Sequence, residues 1–121
     1  MNFAKHFEDL HIWQDARVQL SSIYKCTRLG TEAHRDFEFR GQLTSAALSV
    51  MNNIAEGFER KTKKDFAHFL DQAKASCGEV RSMLYAAEDL QYLNTQAAKS
   101  LREKAAKLSA GIESLAKHLR A

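Results

Sequence analysis

A chain of 121 residues, 45% hydrophobic and 27% charged, has the size and mixture of one globular domain, here residues 1–121, and excludes a disordered or fibrous protein. The absence of proline and the five scattered glycines favour long unbroken helices over a turn-rich β-fold. A net charge of +3 permits an acidic partner without demanding one, and with no apolar run near 18 residues and no signal peptide the expectation is a cytoplasmic protein away from the membrane.

The first helix is predicted from Asp9, as N-cap, to about Arg28, with Ile12, Trp13, Ala16, Leu20, Ile23 and Tyr24 on one broad side. Gly30 and Thr31 break it, and a second helix begins near Asp36. That helix carries two apolar seams. Phe39, Leu43, Ala46, Val50 and Ile54 form one, ending at Gly57. Thr44, Leu48, Met51 and Ala55 form the other on the far side. A helix of a monomeric bundle needs a single buried stripe, so the second seam predicts a subunit interface, with Leu48 and Met51 as its leading contacts; the plainer alternative is a surface with a few exposed apolar residues.

Thr62 is predicted to cap a third helix, with Asp65 in capping-box register. Its stripe is Phe66, Phe69, Leu70, Ala73, Cys77, Val80, Leu84 and Ala87, running out near Leu93 and Asn94. A fourth follows with Leu101, Ala105, Leu108, Ile112, Leu115 and Leu119 at heptad-like spacing and Lys99 and Lys117 on the opposite face. The short connection makes the last two helices an antiparallel hairpin. The fold class is therefore all-α, an up-down antiparallel four-helix bundle. Cys26 and Cys77 have no ligand-like spacing and read as small core residues.

The stretch Asn52-Asn53-Ile54-Ala55-Glu56-Gly57 and the basic run after it hold the chemistry. Gly57 is expected to close the second helix as a C-cap. Asn53 is expected to satisfy buried polar groups near the helix end, joined by Glu56 and Glu79, with a small-ligand site as the alternative. Arg60, Lys61, Lys63 and Lys64 crowd the start of the third helix, where the helix dipole prefers anions. A docked phosphate would relieve that frustration; a solvated turn is the competing reading. The last 27 residues carry six basic against two acidic residues, and Lys99, Lys104, Lys107 and Lys117 could extend a basic surface. The single tryptophan and three tyrosines look core-directed and offer no stacking platform, so nucleic-acid contact would be led by the phosphate backbone.

Catalytic and metal readings find less. Asp65, His68 and Asp71 spread over about 120° of helix and do not converge on one metal. A ferritin-like di-iron centre needs Glu-x-x-His on two helices, which the chain lacks. Arg28 and His34 loosely match the Arg-x(4–6)-His element of the all-helical HEPN ribonucleases, with Gly30 and Thr31 interrupting the spacing. No cofactor site is expected.

Leu10, Ile12, Trp13 and Gln14, then Ala46, Ala47, Ser49, Asn53, Ile54, Ala55, Glu56 and Gly57 resemble the four helix bundle proteins encoded by intervening sequences in bacterial large-subunit (23S) ribosomal RNA genes. Tyr24, Phe66, Phe69, Leu70, Glu79, Tyr92 and Leu93 fit the same pattern, which covers about residues 9–119. The resemblance implies a homopentameric ring of bundles, no known enzymatic activity and a link to RNA. A more distant likeness is to the accessory variability determinant of diversity-generating retroelements, a basic pentamer that binds nucleic acid. Met51 stands where the family usually has proline, and Thr44 and Ser45 stand where an arginine pair is common, so that part of a phosphate-binding surface is absent. Three functions follow as expectations: a nucleic-acid-binding ring, a protein-interaction scaffold, and a HEPN-like ribonuclease.

Overall fold

The long apolar stripes bury against one another in a computed structural model that describes residues 4–121; the first three residues of the expected domain lie outside that range. Five α-helices follow a 3₁₀ turn over Phe7–Asp9: α1 (His11–Cys26), α2 (Glu32–Arg35), α3 (Phe37–Phe58), α4 (Lys63–Asp89) and α5 (Thr95–Arg120). No strand occurs among the described residues. The four long helices are those expected, and α2 is a single extra turn.

α4 packs extensively on both α3 and α5, whereas α1 closes the bundle against α3 and, more loosely, α5. Alternating chain direction places the start of α1, the α3–α4 turn and the end of α5 at one end, here the lower end. The end of α1, α2, the start of α3 and the α4–α5 turn form the upper end. The core runs through Trp13, Ala16 and Ile23 of α1, Leu43, Ala46, Val50 and Ile54 of α3, Leu70, Cys77, Val80 and Leu84 of α4, and Ala105, Leu108 and Ile112 of α5. Burying each large side chain contributes about 1.5–3 kcal/mol.

The helix ends show where local rules hold and where they give way. Thr62 caps α4 by accepting from the Asp65 N–H at 3.1 Å, and Asp36 and Asn94 cap α3 and α5 in the same way. Asp9 does not cap α1. Leu10 holds the N-cap position, while the Asp9 carboxylate accepts from the backbone N–H groups of Lys5 and His6 inside the preceding 3₁₀ turn. α4 stops at Asp89, short of Leu93, because Gln91 turns left-handed with φ 62°. Tyr24, predicted on the core side, is 51% exposed; it lies in the last turn of α1, where the helix reaches the open corner with α2 and α3.

Candidate nucleic-acid interface

Gly57 is a packing glycine rather than a C-cap. It lies inside α3, buried, with Phe58 and Glu59 still following the helix. A Cβ there would sit 2.8 Å from Phe69 Cβ and 2.9 Å from Phe66 Cδ1. The glycine therefore lets α3 and α4 approach closely just before the basic turn. The expected polar cluster is also corrected. Asn53 donates to the Ser49 carbonyl and hydroxyl at 2.9 and 3.0 Å, and Ser49 pairs with Ser76 across to α4 at 2.8 Å. Glu56 and Glu79 are both exposed and take no part in that relay. Asn53 satisfies its own helix, and no carboxylate is buried among the described residues.

At the lower end, Lys61, Lys63 and Lys64 are exposed and none forms an ion pair among the described residues. Lys63 and Lys64 open α4, whose first N–H groups are only partly satisfied by Thr62. Arg60 is different, because its guanidinium lies 4.7 Å above the Phe69 ring, which holds it against the protein. The α5 cations do not form one surface with this turn. Lys117 sits at the lower end, but Lys99 is 18 residues earlier in the same helix, about 27 Å away. Lys104 and Lys107 border a narrow groove between α5 and α1, beside Asp15 and the exposed Val18.

The second α3 seam is partly covered by the chain itself. Met51 and Ala55 pack against the core margin, and Thr44 is half-buried. Leu48 is its open residue, 37% exposed. Other exposed apolar side chains, Leu29, Phe37 and Leu90, belong to the upper end.

The structure brings Arg28 and His34 to one depression despite the break between them, and adds two cations that spacing does not reveal, Lys25 and Arg40. His34 Nδ1 lies 3.1 Å from the Thr27 carbonyl, and Arg40 Nη1 lies 2.7 Å from His34 Nδ1 and 3.1 Å from Nε2. A carbonyl only accepts and a guanidinium only donates. Both groups approach Nδ1, which cannot donate to the one and accept from the other at once, so Arg40 lies across the ring edge and covers both nitrogens.

Cys77 is buried, donates to the Ala105 carbonyl at 3.3 Å, and has its thiol pKa pushed up by burial. Burial also raises the pKa of the half-buried Cys26 thiol, and neither environment activates a nucleophile. Among the described residues no group of three or more His, Cys, Asp or Glu side chains is placed to hold a metal ion, and no helix is long and apolar enough to cross a membrane.

The family model described as 23S rRNA-intervening sequence protein matches residues 8–114, and no curated protein matches the chain. The match takes in both motifs from which the resemblance was read, and the chain belongs to that family.

Proposed function

We propose that this member of the 23S rRNA-intervening sequence protein family is a non-catalytic, self-assembling bundle that binds structured RNA or DNA through phosphate contacts. The observation that carries the reading is the lower-end turn, where Lys61, Lys63 and Lys64 stand exposed at the start of α4 and form no ion pair among the described residues. Helix N–H groups and lysine charge face the same space there, a setting that suits a phosphate. The family description, which ties these proteins to intervening sequences of 23S rRNA, makes a structured RNA the first ligand to test.

The non-catalytic part of the reading rests on His34. Arg40 Nη1 lies against both ring nitrogens, 2.7 Å from Nδ1 and 3.1 Å from Nε2, with the Thr27 carbonyl 3.1 Å from Nδ1. A guanidinium therefore stands where a ribose hydroxyl would have to approach. Assembly enters through Leu48, and repetition of the lysine turn around a closed ring would multiply weak contacts into useful affinity.

Binding of nuclease-treated protein to labelled structured RNA and duplex DNA across a salt series tests the proposal. The expected result is a linear fall of log K with log salt. The Lys61→Gln, Lys63→Gln, Lys64→Gln triple variant should show a shallower slope and at least about tenfold weaker binding at low salt. Absence of binding at low salt would remove the nucleic-acid reading and leave a protein-interaction scaffold, to be sought by its co-purifying partner.

A further inference from the structure

At the upper end, the last turn of α1, the turn of α2 and the start of α3 enclose a depression of about 670 Å³, a volume in the range of small-molecule sites. Three successive elements deliver its charge: Lys25 and Arg28 from the end of α1 and just beyond, His34 from α2, and Arg40 from α3. Among the described residues no carboxylate lines it, and neither Lys25, Arg28 nor Arg40 forms an ion pair. Such uncompensated convergence contrasts with Arg102 and Arg120, which pair with Glu88 and Asp71. Arg40 is also positioned in advance, since it donates to His34 and lies 5.0 Å above the Phe37 ring. Tyr24 borders the same space with its ring half open to solvent. Gly41 contributes a helical position whose added Cβ would meet nothing within 4 Å.

We propose that this depression binds the phosphomonoester of a nucleotide, with the phosphate on Arg28, Arg40 and Lys25 and the base against Tyr24. Three converging cations suit the near-dianionic charge of a monoester better than the single charge of an internal backbone diester. Arginine supplies forked donors that match phosphate oxygens, and an exposed tyrosine ring offers a stacking face without reading the base by hydrogen bonds. His34, with Arg40 Nη1 against both its ring nitrogens, holds Arg40 in place and acts as a positioning residue. The site is at the opposite end from the lysine turn and stands independently of the nucleic-acid reading above. Its ligand could be a free nucleotide or the phosphorylated terminus of an RNA chain; the chemistry is shared.

The test is titration of the full chain with adenosine 5′-monophosphate, adenosine and inorganic phosphate, read by calorimetry and by amide shifts in NMR. The nucleotide should bind and move resonances of residues 24–28 and 34–44, inorganic phosphate should bind more weakly, and adenosine should not bind. Arg28→Gln should weaken the nucleotide at least tenfold, and Tyr24→Ala should reduce it to the level of inorganic phosphate. Gly41→Leu fills the open helical position without touching a charge and should abolish binding while helicity is kept. The Lys61→Gln, Lys63→Gln, Lys64→Gln variant should bind the nucleotide as the parent does, which separates this site from the lower end. Equal binding of an oligoribonucleotide with and without a terminal phosphate would overturn the proposal. A terminally phosphorylated oligonucleotide that binds more than tenfold tighter than the mononucleotide identifies the RNA terminus as the source, and equal affinity identifies the free nucleotide. The site is refuted if adenosine binds as well as its monophosphate, or if Arg28→Gln and Gly41→Leu leave the titration unchanged.

Discussion

Two residues set the helix junctions by opposite means. Gly57 makes room. Its missing Cβ is what allows the Phe66 and Phe69 side chains of α4 to lie against α3, and a methyl group there must displace one of them. Gly57→Ala is expected to destabilise the protein by about 1–3 kcal/mol, read as a lower urea midpoint at unchanged slope; equal midpoints would mean that the two phenylalanines relax freely. Gln91 does the reverse. It takes the left-handed position after α4, where its N–H donates to Glu88 and that of Tyr92 donates to Ala87. These are the two bonds of a Schellman ending. A side chain there carries steric strain that glycine lacks, partly offset by the extra freedom glycine has when unfolded. Gln91→Gly should therefore stabilise by about 0.5–1 kcal/mol, and a fall in the melting temperature would refute the strain. Neither role was legible in the sequence. A glycine at a helix end has the same spelling whether it caps or packs, and the true left-handed cap is a glutamine.

At the level of elements, the three- and four-residue spacings located the four long helices because each stripe is several turns long and buried throughout. The short α2 has only four residues, too few for any periodicity. The corner it builds was therefore hidden, and with it the joining of Lys25 and Arg40 to Arg28 and His34. Residues on three successive elements meet there because the α2 turn brings the end of α1 beside the start of α3. One hydrogen bond fastens that end of the bundle across the fold: the Tyr92 hydroxyl donates to Asp36 at 2.7 Å, while the same carboxylate caps α3. The bond and the adjacent negative charge raise the Tyr92 pKa above its ordinary value near 10. A group whose pKa is raised by folding contributes stability below its unfolded pKa and loses it as pH rises through the folded one. Tyr92→Phe should accordingly lower the urea midpoint at pH 8, and the difference from the parent should shrink once the pH exceeds the raised value. A difference that stays constant across that range would show that the phenol contributes by packing on Phe39 and not through its proton.

The whole molecule separates its features by end. The lysine turn is below, the open apolar residues Leu29, Phe37 and Leu90 are above, and between them one side of α3 presents Leu48. The two-seam pattern pointed to a contact surface there, but the structure narrows it, because Met51 and Ala55 already pack at the core margin. If α3 makes the subunit contact, Leu48 has to bear it, and a carboxylate in its place would be buried without a partner at considerable cost. Leu48→Glu is expected to give helical, soluble particles of lower mass by light scattering. The same change touches no cation, yet it should also weaken binding to structured RNA. Affinity drawn from several equivalent turns on one assembly exceeds that of a single turn by about 10²–10⁴, and dissociation removes that gain while leaving each Lys61, Lys63 and Lys64 in place. Loss of mass and loss of affinity in the one variant would link assembly to function. Unchanged mass would sink the α3 interface, and reduced mass with undiminished affinity would show that one bundle is sufficient for the RNA.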